Sequence, residues 1–67
     1  MRHYVFPITD YEHPGDLDWA ASEVQDNFPN VRNIHTWEEK DEDGELEGYI
    51  EFDAPEEYAE SIKDLEL

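Results

Sequence analysis

Apolar and polar residues alternate over residues 45–53, and this is the clearest pattern in the chain. One set of positions contains Leu46, Gly48, Ile50 and Phe52. The other contains Glu45, Glu47, Tyr49 and Glu51. Because successive side chains of a strand point to opposite faces of its sheet, the alternation predicts a strand with one buried face and one acidic face.

Two further segments have the character of strands. In residues 3–9 Tyr4, Phe6 and Ile8 fall on one face at the period of a strand. Pro7 has no backbone donor, so the strand either lies at an edge or ends near Pro7. Residues 31–40 form the other predicted strand. The segment from Asp41 to Gly44 connects it to residues 45–53, and its Asp-Gly pair suits the positive φ of a hairpin turn.

A helical stripe follows the first strand. Its apolar residues recur at helical spacing and are Leu17, Ala20, Ala21, Val24 and Phe28. The stripe predicts a helix over residues 17–28, with Asp16 as its N-cap and Pro29 beyond its end. We also expect the large aromatic residues Trp19 and Phe28 to lie in the core.

A second helix is predicted at the end of the chain. Asp53 and Glu56 are spaced as in a capping box, and Pro55 fits a first helical turn. The apolar stripe of this helix contains Tyr58, Ala59, Ile62 and Leu65.

The predicted order of elements is β-α-β-β-α, in a single domain over residues 1–67. This is an α+β fold in which two helices cover one face of a three-stranded antiparallel sheet. It resembles a ferredoxin-like fold that lacks its last strand, and the resemblance implies the sheet order 1-3-2. The first strand would have an open edge, available to a partner or a second copy, so both a monomer and a homodimer are compatible with the prediction.

The net charge is the feature of the sequence that says most about function. The chain has 20 acidic and 4 basic residues, a formal net charge of -16 on 67 residues. Fourteen of the acidic residues lie in residues 35–67, and seven of the ten residues from Glu38 to Glu47 are acidic. Direct binding to nucleic acid is disfavoured, because phosphate contacts need Lys and Arg, and an anionic membrane would repel the chain. The expected partner is a basic, nucleic-acid-binding protein.

Other classes of protein are excluded by what the sequence lacks. It has no cysteine, no apolar stretch approaching the ~20 residues of a membrane span, and no signal-peptide pattern at its start, so we expect a cytoplasmic protein. It also has no nucleophile motif and no glycine-rich phosphate loop. We therefore expect neither enzyme activity nor a cofactor.

The candidate site is an array of carboxylates around the predicted hairpin. Side chains two residues apart on one strand face are separated by roughly 6.6–6.8 Å, a spacing of the same order as that of neighbouring phosphates on one nucleic-acid strand. The residues expected to imitate phosphates are Glu38, Glu39, Asp41, Glu42, Asp43, Glu45, Glu47 and Glu51. Secondary contacts are expected from Tyr49, which shares the acidic strand face, and from Glu56, Glu57 and Glu60 on the second helix.

Metal binding is the main chemical alternative. The segment from Glu39 to Leu46 is similar to the start of an EF-hand loop, but Ile50 occupies the position of the bidentate glutamate and the flanks read as strands. His3 and His35 would form a site only by approaching each other across strands, and no metal-ligand spacing supports this. We expect no specific metal site.

The chain resembles the small acidic DNA-mimic proteins that phages use against host defence, among them anti-restriction proteins and a subset of anti-CRISPR proteins. The resemblance rests on its size, its acidic bias, the array from Glu38 to Glu51 and the order of its elements. It implies an inhibitor that occupies the DNA-binding surface of a Cas or restriction subunit, with an anti-CRISPR protein favoured.

Two alternatives explain the same composition. Proteins adapted to strong salt are also acidic and poor in lysine, and this chain has only Lys40 and Lys63. In a halophilic protein the charge would maintain solvation and would say nothing about function. An acidic antitoxin or regulator that neutralises a basic partner would share the electrostatics of a DNA mimic.

Overall fold

The computed structural model describes every residue from Met1 to Leu67. Its elements in chain order are β1 (Arg2–Pro7), α1 (Gly15–Asn27), β2 (Arg32–Lys40), β3 (Leu46–Ala54), a 3₁₀ turn (Glu56–Tyr58) and α2 (Ala59–Lys63). The predicted order β-α-β-β-α is confirmed, with element ends that differ from the prediction by a few residues. None of the helices is both long and apolar enough to cross a membrane.

The three strands form one antiparallel sheet in the order β1-β3-β2, which confirms the predicted topology. The central strand β3 pairs with both neighbours, so that Ile50 lies opposite Phe6 on one side and Thr36 on the other. The register of β2 shifts between Arg32 and His35, where Asn33 has a φ of 57°.

The free edge of β1 explains how Pro7 fits into a strand. Ile8 N–H donates to the carbonyl of Gly48 at 2.8 Å. Opposed residues of an antiparallel pair alternate between hydrogen-bonded and non-bonded positions, so the backbone of Pro7 points away from β3. Its missing N–H therefore costs no ladder bond, and the predicted edge position is confirmed.

One core lies between the sheet and both helices. The alternating residues Ile50, Phe52 and Ala54 of β3 are fully buried there. Buried side chains of the two helical stripes pack on them, namely Ala20, Val24, Phe28 and Ile62, together with Ile8 and Leu67. The stripe of α1 and the buried strand face at Gly48, Ile50 and Phe52 are confirmed. Leu46, predicted on that face, is instead 47% exposed, because it lies at the hairpin end of β3, and Leu65 packs on the core from beyond the end of α2.

Trp19 corrects the expectation for the large aromatic residues. Phe28 is buried, but Trp19 is 48% exposed. It precedes Ala20, which is fully buried, and so points about 100° away from Ala20 around α1, on the far side of the helix from most of the buried stripe. The position of Trp19 on the helix, and not the size of its side chain, therefore decides its exposure.

Both predicted helix caps are wrong. The N-cap position of α1 is Pro14, and the carboxylate of Asp16 instead accepts hydrogen bonds from the N–H groups of Glu12 and His13 at 2.8 and 3.4 Å. The bond from Glu12 has the larger effect, and together the two bonds hold the pKa of Asp16 below its usual range. Asp53 does not cap the second helical segment, because β3 continues to Ala54 and directs Asp53 across the sheet.

Gly48 is the point at which a loop side chain covers the sheet. It is buried among the inward-facing positions of β3, and a Cβ placed on it would clash with Cδ1 of Tyr11. The ring of Tyr11 therefore occupies the space that a side chain at position 48 would need. A glycine inside a strand commonly marks such a close approach.

We expect Gly48→Ala to destabilise the domain by about 1–3 kcal/mol, because the added methyl group must displace the ring of Tyr11. Urea unfolding of Gly48→Ala, Tyr11→Ala and the double variant measures the coupling between the two positions. The double variant should be more stable than the sum of the single effects predicts, since removing the ring removes the clash. Strict additivity would contradict this packing.

Candidate functional site

The face of the sheet opposite the helices is uncovered. We call it the open face, and its side chains come from all three strands: His3, Val5 and Pro7 of β1, Glu47, Tyr49, Glu51 and Asp53 of β3, and His35, Trp37 and Glu39 of β2. The predicted placement of Tyr49 with Glu47 and Glu51 on a face away from the core is confirmed.

Three rings stack along the open face. The centroids of His35 and Trp37 are 5.4 Å apart with planes inclined by 21°, and those of Trp37 and Tyr49 are 5.6 Å apart at 18°. His35 and Trp37 are two residues apart on β2, and Trp37 lies directly opposite Tyr49. Strand register therefore creates the stack.

Each of the two larger aromatic side chains donates a hydrogen bond to a carboxylate. Trp37 Nε1–H donates to Glu39 at 3.0 Å, and the hydroxyl of Tyr49 donates to Glu47 at 2.7 Å. Glu39 and Glu47 lie directly opposite each other on neighbouring strands. We call Trp37, Glu39, Glu47 and Tyr49 the aromatic–acidic quartet.

The donors in the quartet are neutral, so they orient the two carboxylates without cancelling their charge. The hydrogen bond to Glu47 raises the pKa of Tyr49, because a phenolate would be repelled by the carboxylate it contacts. Directly opposed like charges destabilise a sheet pair. The quartet thus keeps two negative charges side by side in fixed positions.

The hairpin tip is ordered by its own backbone. The carboxylate of Asp41 accepts from the N–H groups of Asp43 and Glu45, both at 2.9 Å, and Gly44 has the predicted positive φ, at 81°. Glu42, Asp43 and Glu45 are exposed. No Lys or Arg side chain forms an ion pair with any carboxylate from Glu38 to Glu47.

Glu38 lies apart from the other hairpin acids. It is opposite Gly48, on the helix side of the sheet, and its carboxylate accepts a hydrogen bond from the hydroxyl of Tyr11. Burial and this bond raise the pKa of Tyr11 to about 12. The structure therefore places Glu38 and Glu39 on opposite faces and does not join them in one row.

The predicted secondary residues of the second helix are also separate from the hairpin. Glu56, Glu57 and Glu60 are exposed, and Glu56 is 3.9 Å from Arg2. They follow the end of β3 that is remote from the hairpin, and at ~3.3 Å per residue the strand is about 26 Å long. Only Tyr49 among the secondary residues adjoins the hairpin acids.

A cluster around Asp53 occupies the other end of the open face. Asp53 accepts from His3 Nδ1 at 2.7 Å and from Asn33 at 2.8 Å, and His3 Nε2 is 3.1 Å from Glu51. The bond to Asp53 raises the pKa of His3 above 6.5, and the bonds from Asn33 and His3 lower the pKa of Asp53. His3 lies on β1 and His35 on β2, with β3 between them, so the two histidines are not neighbours. The metal site that was considered between them therefore does not form.

We expect the stabilising contribution of His3 to fall as pH rises. A histidine whose pKa is raised on folding stabilises the fold fully below its unfolded pKa, and the effect is lost as pH rises through the folded pKa. Wild type should therefore exceed His3→Gln in unfolding free energy by more at about pH 6 than at about pH 8. Urea unfolding at the two pH values checks this, and an equal difference at both would contradict it.

The sequence contained a signal for the part of the site that the prediction missed. His35, Trp37 and Glu39 alternate with Ile34, Thr36 and Glu38, so strand period alone separates Glu39 from Glu38. The pairing of Trp37 with Tyr49 depends on register and needs the structure. No protein-family model, curated protein or solved structure matches this chain.

Proposed function

We propose that this protein is a DNA-mimic inhibitor that occupies the nucleic-acid-binding surface of a host defence complex. A Cas complex of a CRISPR system is the favoured target and a restriction subunit the next, with the host-cell cytoplasm as the place of action. The observation that carries the proposal is a set of carboxylates that form no ion pair with Lys or Arg, from Glu39 through the hairpin to Glu47. Glu51, half-buried and 3.1 Å from His3, continues the row beyond Tyr49. No catalytic role is proposed.

Order distinguishes this surface from a merely acidic one. Tyr49 and Trp37 fix carboxylates on the sheet, and the backbone of the turn fixes Asp41. A phosphate backbone likewise presents negative charges at regular, defined positions. Because the positions are set before binding, little side-chain entropy is lost when a basic groove closes on them.

The electrostatics also predict how binding proceeds. A net charge of -16 steers a basic surface towards the protein and raises the rate of association. Salt screens this attraction, so inhibition should weaken as ionic strength rises.

Inhibition of a defence system tests the proposal directly. The protein is expressed in cells that carry individual CRISPR or restriction systems, and the plating efficiency of a targeted phage is measured. Restored plating with one system, together with blocked DNA binding by its purified complex, supports the proposal. Restored plating while DNA binding remains intact would contradict occlusion, and protection against a basic toxin alone would favour the antitoxin alternative.

We expect the domain to unfold cooperatively at low salt. Its buried core and paired sheet should be sufficient for folding without strong salt, although screening of like charges should raise the melting temperature. Circular dichroism melting at about 0.1 M and about 3 M KCl checks this. A chain that is unfolded at the lower concentration and folded only at the higher would favour the halophilic alternative.

A further inference from the structure

We propose that the open face recognises arginine in preference to lysine. The inference rests on the proposed function and specifies the partner chemistry of the same surface. The occupant is an arginine-bearing segment of the partner's nucleic-acid-binding surface, whose guanidinium group lies against the aromatic–acidic quartet.

The arrangement of rows across the sheet supports this. Tyr49 and Trp37 form an aromatic row, which Pro7 continues on β1. On one side lies the acidic row of Glu47 and Glu39. On the other, Glu51 lies between Val5 and His35 and is also contacted by His3 at 3.1 Å. Same-face neighbours along a strand are ~6.6–6.8 Å apart, so a cation over the rings is within reach of carboxylates on both sides.

Guanidinium and ammonium groups differ in how they fit this arrangement. A guanidinium is planar, is weakly hydrated, stacks on aromatic rings and donates two parallel hydrogen bonds to a carboxylate. An ammonium is a compact, strongly hydrated charge that gains less from the rings. Glu39 and Glu47 each use one acceptor site for an aromatic donor and retain others for a ligand.

Charge complementarity selects this occupant over a second copy of the chain. The open face has apolar surface to cover, since Val5 is 52% exposed and the quartet rings are only half-buried. Two copies would bring together two molecules that each carry a net charge of -16, and the opposed acidic rows would repel. A cationic segment covers the same apolar area and neutralises the acidic rows.

Oligo-arginine and oligo-lysine peptides of equal length test the inference. Trp19→Phe leaves Trp37 as the only indole, and Trp19 lies in α1, away from the open face. Titration with each peptide at about 0.1 M NaCl should quench the fluorescence of Trp37. The arginine peptide should bind about two- to fivefold more tightly than the lysine peptide, which is the range expected for an exposed cation–π contact. Equal affinity for the two peptides would overturn the inference.

Variants separate the contribution of the aromatic rings from that of the carboxylates, and their affinities for the two peptides are measured by calorimetry. Trp37→Leu should remove the preference for arginine, whereas Glu39→Gln with Glu47→Gln should weaken both peptides. The matched control Asp18→Asn with Asp26→Asn removes the same charge from exposed positions of α1 and should retain the preference.

Failure of this inference differs from failure of the proposed function. Equal affinities that both depend on Glu39 and Glu47 would overturn arginine selection and leave acidic mimicry in place. An arginine preference that survives Trp37→Leu would also overturn the role of the quartet. Binding of neither peptide would overturn both proposals.

Discussion

Replacing Glu45 and Glu47 with lysine should reduce affinity for the target at least about a hundredfold while leaving the domain folded. Removing one member of a charge pair that is buried and hydrogen-bonded at an interface commonly costs about 2–5 kcal/mol, and every ~1.4 kcal/mol is a factor of ten. Reversal adds repulsion against a basic groove. Both side chains are exposed and lie away from the core, so the fold does not depend on them.

The control for this variant has the same change in net charge at another place. Asp18→Lys with Asp26→Lys alters two exposed positions of α1, one near each end, so the effects on the helix dipole oppose each other. Inhibition should persist within about tenfold, because long-range attraction is reduced but the array is intact. Equal loss in both variants would show that total charge matters and the hairpin does not.

Replacing Phe52 with alanine should unfold much of the population. Phe52 is fully buried and packs against the rings of Tyr4 and Phe6, with centroids 5.7 and 6.0 Å away. Phe→Ala in a core costs about 3–5 kcal/mol. A domain of this size has a total stability of about 3–10 kcal/mol at the usual value per residue. Circular dichroism with urea unfolding measures the loss.

Two milder variants serve as comparisons for Phe52→Ala. Phe52→Leu retains most of the apolar volume and should cost less than half as much as Phe52→Ala. Val5→Ala changes an exposed residue on the opposite face of the sheet and should alter stability by no more than about 0.5 kcal/mol. A native stability in Phe52→Ala would contradict the assignment of this core.

The elements of the fold were predictable because their signals are local. The alternation through Ile50 and Phe52 and the stripe through Ala20 and Val24 each lie within one element, and burial against a common core satisfies them together. The pairing of β2 with β3 was predictable from the hairpin, and Pro7 indicated an edge strand or a strand end. The order β1-β3-β2 came from the resemblance to a ferredoxin-like fold.

Contacts between distant segments were not predictable. Tyr11 packs on Gly48 and binds Glu38 from a loop, and nothing near position 11 in the sequence indicates this. Asp53 had a plausible local role as a cap, but His3 and Asn33 compete for the same carboxylate across the sheet. Local capping rules fail where a strand directs the side chain elsewhere.

The candidate site was predictable in composition and less so in arrangement. Acidic density marked the hairpin, and strand period placed Glu47 with Tyr49. The pairing of Glu39 with Glu47 and the stacking of Trp37 on Tyr49 depend on the register of β2 against β3. Register is a tertiary property, which is why the quartet emerged only from the structure.

Mutual exclusion between this protein and DNA on the inhibited complex is the most direct measurement of the central claim. Labelled protein is bound to that complex and titrated against increasing concentrations of its duplex DNA. Occlusion predicts that the apparent dissociation constant rises in proportion to free DNA, without a plateau. A plateau, or a stable ternary complex of inhibitor, defence complex and DNA, would show that the acidic surface does not occupy the nucleic-acid site.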